Sequence, residues 1–452
     1  MASKPAMAKA AAGAPEAAVA TRFPELQGLG LSIEQQLAYD RFRLWRVAVM
    51  AAVWYSFYYL GRLNWGFCLP WIIKDLHITK LQAGTGATII LWCYAIGVFL
   101  SGRFADRYGG RIMDTIGGVG TTIMNVIISA LSTLSGIFVG LGFNGLVQGQ
   151  AYASTNGMLT QWYPKAKRGF ATGLYATSMG VSTLVVWLIT GYFVTHYGWR
   201  AAFRYPLLLF TLPITVVLFL VARSKPQDAG FPPYKETMTD SISARAESLD
   251  DAEIRGVRAI IRLLTNWKFV AVSFASLLMY IGRFGLLTWI PLYYAETSGV
   301  NIAKIPAATV ALPLGMMVGP ILAGVISDRV FKAKRYQVLN IYMILFTLTM
   351  LTMGQFGLKR LGLFVSAGLL VLGGFFVLGA IGTMFTTACD FGGRKMAATA
   401  VGTIDLFNYI GAGLQGVLVG GILQATGSWP VVFYVLAGAT VVGIILVNLV
   451  RE

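Results

Sequence analysis

Tyr59-Leu60-Gly61-Arg62 and Tyr280-Ile281-Gly282-Arg283 both read Tyr-x-Gly-Arg, stand 221 positions apart, and lie inside otherwise apolar segments. An arginine is permanently charged, and its planar fork of donors matches two oxygens of one anionic group. Holding that cation within a hydrophobic span is costly, so the residue ordinarily faces a bundle interior or a water-filled cavity. One such arginine in each half of the chain predicts a duplicated membrane protein whose halves share an anionic ligand. The competing arrangement gives each arginine its own buried carboxylate, and neither arginine has an acid within its own segment.

Asp405 is the other charge set deep in an apolar segment, with no basic neighbour in sequence. Few other residues offer chemistry. The two histidines, His77 and His196, fall in loops, and Cys68, Cys93 and Cys389 are scattered without metal-ligand spacing. No metal site, disulfide framework or cofactor is expected from them. A nucleotide-binding P-loop and a Ser/His/Asp set are also missing, so the chain does not read as an enzyme.

The segments that must position these residues dominate the composition. The 452-residue chain is 56% hydrophobic and only 12% charged, about half the charge of a soluble protein. A membrane-spanning helix takes about 20 mostly apolar residues. Apolar stretches fall at 45–71, 82–102, 112–133, 136–159, 170–194 and 202–222, and again at 267–294, 304–326, 337–356, 362–388, 398–424 and 430–450. These predict an all-α membrane protein of twelve spans, numbered one to twelve below. A tail at 1–40 precedes a first bundle at 41–223; a polar linker at 224–266 leads to a second bundle at 267–452. Residues 1–20 are Ala-rich without the continuous apolar core of a secretory signal, and read as a tail.

The net charge of +17 is spread over short loops rather than gathered in a stripe, which suits anionic headgroups and not nucleic acid. The even-numbered loops hold Arg103, Arg107, Arg111, Lys165, Lys167, Arg168, Arg329, Lys332, Lys334, Arg335, Arg394 and Lys395; the opposite loops hold fewer basic residues. The positive-inside rule then places both termini and the linker in the cytoplasm.

Two further landmarks repeat. Gly102-Arg103-Phe104-Ala105-Asp106-Arg107 after span two answers Gly324-Val325-Ile326-Ser327-Asp328-Arg329 after span eight, at an offset of 222. Trp162 to Arg168 before span five answers Asp390 to Lys395 before span eleven, at an offset near 227. Six spans per half make the repeats parallel, related by an axis normal to the membrane.

The Gly-x-x-x-Asp-Arg loop in both halves resembles the loop signature of the major facilitator superfamily. Within it the chain looks like the organophosphate:phosphate antiporters, the group of the bacterial glycerol-3-phosphate and hexose-phosphate transporters. The resemblance rests on Tyr58-Tyr59-Leu60-Gly61-Arg62-Leu63-Asn64, on Tyr280 to Trp289, on Pro226 to Pro233 in the linker, and on Thr399 to Gly402 leading to Leu406 to Gly411. It covers about residues 38–450.

The resemblance implies two six-helix pseudo-symmetric bundles and a bacterial inner-membrane location. It implies that Arg62 and Arg283 hold a phosphoryl group, with Tyr55, Tyr59, Tyr94, Tyr280 and Tyr409 lining the pore. Asp106, Arg107, Asp328, Arg329, Asp390 and Arg394 would form a cytoplasmic gate, or the loop charges would act as plain topological anchors. The expected partners are the bilayer, a small anionic substrate, and inorganic phosphate or a proton as counter-ion, with a monomer as the working unit.

The chain also departs from the family pattern. Leu63 stands where a lysine follows the first arginine, Val98 where a second lysine is expected, and Ser178, Leu174 and Tyr175 where a histidine, a tryptophan and an asparagine are. The positive charge around the site is therefore thinner. Asp405, one turn before Tyr409, leaves three possibilities: a partner for Arg62 or Arg283, a seat for an ammonium on a zwitterionic substrate, or a proton carrier.

The leading expectation is a secondary transporter that exchanges an organic phosphate, glycerol-3-phosphate-like, for inorganic phosphate by alternating access. The alternatives are proton-coupled transport of another organic anion or zwitterion (phosphonate, sulfonate or carboxylate) and a transporter-like sensor of sugar phosphates.

Overall fold

A computed structural model of the chain describes residues 26, 31–163, 165–232, 257–297, 305, 309–331 and 335–450. Among these, nine helices are long and apolar enough to cross a membrane: Lys80–Val98, Gly110–Ala130, Thr177–Tyr197, Trp199–Val221, Trp267–Thr297, Arg335–Gly357, Arg360–Gly392, Thr399–Thr426 and Trp429–Leu449. They are spans two, three, five to seven and nine to twelve.

The other three spans are helical but interrupted. Span one runs as Phe42–Val49, Met50–Tyr58, Leu60–Phe67 and Leu69–Leu76. Its breaks fall at Tyr59 and at Cys68, which Pro70 follows. Span four runs as Leu134–Gln148 and Gln150–Trp162, divided at Gly149. Span eight contains Ala311–Val325, with Pro320 inside it, followed by a wide turn at Ile326–Val330. Interruptions at membrane depth leave backbone groups that other parts of the protein must satisfy, and in span one they frame Arg62.

The two halves are assembled alike. Spans two and four approach so closely that a methyl group on Gly145 would meet the span-two backbone at Ile90 and Tyr94. Spans eight and ten repeat this, with Gly319 against the backbone of Phe375. Small residues at such crossings let helix backbones touch, the usual route to packing in lipid. Spans nine and ten run antiparallel: Tyr342 stacks on Phe375 at 5.5 Å, and Arg335 pairs with Asp390 at their ends.

The helix Ile33–Arg41 precedes span one, its first turn closed by Ser32 and Gln35 as a capping box. The start of the linker folds back onto this region. Pro226–Ala229 makes one 3-10 turn, and Gly230 (φ 80°) directs Phe231 against Tyr39 and Phe42 at ring distances of 5.1 and 5.8 Å. Trp162 donates to the carbonyl of Arg223 at 2.8 Å, completing this aromatic seat. The Pro-Gln-Asp-Ala-Gly-Phe motif is thus a docking segment for the first half.

Candidate functional site between the halves

The two Tyr-x-Gly-Arg motifs present their arginines from differently supported backbones. At Tyr59 the helix of span one is interrupted, and nearby carbonyls accept from side-chain amides of spans three and four. Gly61 accepts from Asn144 Nδ2 at 2.6 Å and Asn125 Nδ2 at 3.2 Å, and Tyr58 accepts from Gln148 Nε2 at 3.0 Å. Asn64 Nδ2 donates to Asn125 Oδ1 at 2.8 Å, extending the network along span one. A Cβ at Gly61 would collide with the Thr121 hydroxyl and lie 2.7 Å from Gln148 Nε2, so only glycine fits. Arg283 projects from the continuous helix Trp267–Thr297, where a Cβ at Gly282 would lie 3.1 Å from the ring of Phe346, a tight contact that a small shift of that ring relieves.

Both guanidinium groups are buried, Arg62 at 3% and Arg283 at 6% exposure. The Arg62 guanidinium carbon lies 4.2 Å from the centroid of Tyr59 and 4.1 Å from that of Tyr94. Arg283 lies 5.4 Å from Tyr280 and 5.1 Å from Phe284. Cation–π contact of this kind partly offsets lost hydration, but it leaves donors idle. Nε and Nη1 of Arg62 and Nε of Arg283 have no hydrogen-bond partner. No ion pair joins either arginine to a carboxylate among the described residues, so the arrangement in which each arginine is neutralised by an acid is not realised.

A cavity of about 560 Å³ lies between the halves, lined by Arg283, Tyr55, Tyr59, Tyr280, Tyr409 and Asp405 among others. Arg62 and Tyr94 do not line it. Arg62 borders a smaller adjacent void with Trp65, Phe284 and Thr288. Tyr59 faces both Arg62 and the cavity, while Tyr94 packs on Tyr409 at 4.6 Å. Phenol rings therefore cover the first arginine, and one of them, Tyr59, also lines the cavity.

Among the described residues Asp405 takes a single hydrogen bond, a long one of 3.4 Å from Asn408 Nδ2, whose Oδ1 accepts from Ser276 at 2.6 Å. It pairs with neither arginine, which removes the first of its three expected roles in this state.

Sequence reasoning missed several groups here. Tyr152 lines the cavity, and Tyr175, noted above only as a departure from the family pattern, packs on Tyr55 at 4.8 Å. Asp114 in span three is fully buried and accepts from the Ser154 hydroxyl and from Thr155 Oγ1, the latter at 2.9 Å. An acid inside the apolar stretch 112–133, and amides at Asn125, Asn144 and Gln148, were the signals available for finding this polar interior. Among the described residues, no group of three His, Cys, Asp or Glu side chains is placed to hold a metal ion.

One end of the interface between the halves is closed. Lys80 pairs with Glu296 at 2.9 Å, Trp429 donates to Glu296 at 2.8 Å, and Thr88 donates to the carbonyl of Gly413 at 2.6 Å. Trp92 reaches the carbonyl of Ile410 at 3.3 Å, and the backbones of Gly84 and Gly416 touch. The cavity uses other portions of spans seven and eleven, 280 and 283 and 401 to 409, together with 55 and 59 of span one.

The expected gate residues give a mixed picture. Arg107 and Arg329 are exposed, and the side chains of Asp106, Asp328 and Arg394 lie outside the described residues. Asp390 pairs with Arg335 Nε at 2.8 Å. It therefore ties the end of span ten to that of span nine within one half. The cause is the antiparallel packing of these two spans, which brings their ends together.

Sequence comparison agrees with this architecture. A profile described as Major Facilitator Superfamily matches residues 51–416. The chain is 28% identical to a probable hexose phosphate transport protein of Chlamydia trachomatis, over 91% of this chain and 92% of that one. It is 27% identical to the membrane sensor protein UhpC of Escherichia coli, over 90% and 92%. It is 25% identical to the glycerol-3-phosphate transporter of Bacillus subtilis, over 91% and 92%. In three dimensions it is similar to a crystallised bacterial homologue of the human lysosomal transporter Spinster, with a TM-score of 0.70 and 14% identity, covering 91% and 95% of the two chains.

Proposed function

The chain belongs to the Major Facilitator Superfamily, and on that premise we propose that it exchanges an organic phosphate for inorganic phosphate by alternating access. It is an integral membrane transporter and not an enzyme. Relatives named as hexose phosphate and glycerol-3-phosphate transporters support the phosphate ester as cargo. The observation that carries the reading is the pair of buried guanidinium groups, one per half, with idle donors and no carboxylate partner among the described residues. A phosphoryl group meets that unsatisfied charge with oxygens arranged for bidentate contact.

Arg283, Tyr280, Tyr55, Tyr59 and Tyr409 receive the phosphoryl group first. Reorientation of Tyr94 and Tyr409 brings it to Arg62, and the attraction between the halves closes the open end. With both termini in the cytoplasm of a bacterial cell, the closed end faces outward and this state is open inward. A phosphate gradient then drives exchange, because each crossing requires the site to be occupied.

The test is counterflow in proteoliposomes loaded with phosphate. Uptake of labelled phosphate ester that depends on internal phosphate, and is lost in Arg62→Lys and Arg283→Lys, supports exchange. Binding without flux would instead support a sensor, a reading that the similarity to UhpC keeps in view. Asp405, in the cavity wall without an ion-pair partner among the described residues, favours one second reading, proton-coupled uptake. That reading requires accumulation driven by a pH gradient with no internal phosphate, abolished in Asp405→Asn.

A further inference from the structure

The cavity has two kinds of wall. Arg283, Asp405 and the phenols are supplied by spans one, four, seven and eleven. Met179 of span five, Met316, Met317 and Ile321 of span eight, and Leu378 and Ile381 of span ten supply much of the rest. None of these six side chains can make an ordinary hydrogen bond to a hydroxyl group. A sugar phosphate held against them would leave hydroxyls without partners, and unpaired polar groups in a closed site oppose binding. Methionines and branched aliphatics instead fit an apolar body, the methionines by adapting to its shape.

Asp405 adds a charge requirement. An ionised carboxylate offers about four acceptor positions, and among the described residues this one takes a single long hydrogen bond. It lines the same cavity as Arg283 without pairing to it. The cavity thus presents a cation and an anion that do not neutralise each other, beside an apolar wall. A ligand with complementary charges separated along its length satisfies both.

We propose that the cargo is a zwitterion: a phosphonate or phosphate monoester that carries an ammonium group for Asp405 and an apolar body for the wall of spans five, eight and ten. This rests on the reading above that the cavity is the phosphoryl site. The ionised site, counting Arg62, Arg283 and Asp405, carries one net positive charge. A phosphoryl dianion with one ammonium makes the closed complex neutral, whereas a hexose phosphate dianion leaves a surplus negative charge in a low-dielectric site.

Titration calorimetry on the purified full-length protein tests this with three probes: (1-amino-2-phenylethyl)phosphonate, the same compound without its amino group, and glucose 6-phosphate. The aminophosphonate should bind at least tenfold more tightly than either of the others. Asp405→Asn should remove its advantage over the des-amino compound while leaving the latter's affinity within about twofold, and Arg283→Lys should weaken both phosphonates. Equal or tighter binding of glucose 6-phosphate, or an amino-group preference that survives in Asp405→Asn, overturns the zwitterion proposal and leaves the phosphate reading standing. Failure of all three to bind, with inorganic phosphate also silent, overturns both.

Discussion

Arg62 places its guanidinium carbon 4.1 Å from the centre of the Tyr94 ring, and Tyr94 in turn packs on Tyr409 in the cavity wall. The first arginine of the pair is therefore shielded by aromatics in this state while the second borders the open cavity. In an empty transporter, two bare cations facing one another would repel. Covering one with phenol faces reduces that cost and leaves it ready for a later contact.

Tyr94→Leu should lower the thermal stability of the ligand-free protein, because a cation–π contact in a desolvated site contributes about 0.5–2 kcal/mol. Tyr94→Phe keeps the ring and should stay near wild type. Differential scanning fluorimetry of the two variants checks this; equal melting temperatures would show that the ring does not shield Arg62.

The two motif glycines should respond differently. Gly61→Ala drives a methyl group onto Thr121 and Gln148 and disturbs the amides that hold the Gly61 and Tyr58 carbonyls. Overpacking of this kind costs about 1–3 kcal/mol, and buried carbonyls left unpaired add to it. Gly282→Ala asks only for a small shift of Phe346. Denaturation in detergent should rank Gly61→Ala well below Gly282→Ala, and the reverse order would contradict the division of support between the halves.

The Lys80–Glu296 pair joins the halves at the closed end, with side chains 23% and 34% exposed. A partly exposed pair contributes at most about 1 kcal/mol, enough to shift a two-state balance roughly fivefold. Glu296→Gln should therefore raise the rate at which a membrane-impermeant thiol reagent labels Ala83→Cys, in a background with Cys68, Cys93 and Cys389 replaced. No change in labelling would mean that Glu296 does not hold this end shut.

Asp75, in the last turn of Leu69–Leu76 and past the apolar stretch 45–71, accepts from Trp199 Nε1 at 2.9 Å and from Arg200. These two hydrogen bonds hold its carboxyl below the usual carboxylate range. Its contribution is thus fully present above the ordinary aspartate value of about 3.9 and is lost as pH falls through the lowered folded value. Because the group is exposed, the effect is small. Wild type should lose slightly more stability on acidification below about pH 4 than Asp75→Asn does, measured as melting temperature against pH.

Much of the architecture was legible because apolar length and charge are properties of single segments. The two arginines stood out for the same reason, as charges in hydrophobic runs. The split between Arg62 and the cavity was not legible, since it depends on which state the halves adopt and where the Tyr94 ring turns. Tyr152 and the methionine wall depend on helix rotation, which a pattern of nearly uniform hydrophobicity does not fix. The Asp390–Arg335 pair was not legible either, since it joins the ends of spans nine and ten, 55 positions apart in sequence. The amides around Gly61 come from three spans, and no local pattern joins Asn64, Asn125 and Asn144.

The central claim is that Arg62 and Arg283 together carry a phosphoryl group across the membrane in exchange for phosphate. Its most direct test is the exchange of labelled phosphate in proteoliposomes containing wild type, Arg62→Lys or Arg283→Lys. Lysine keeps the charge but not the bidentate fork. The account predicts rapid exchange in wild type and at least a roughly tenfold loss in each variant, since the loss of a charged bidentate contact exceeds about 1.4 kcal/mol. Undiminished exchange in Arg62→Lys would contradict it.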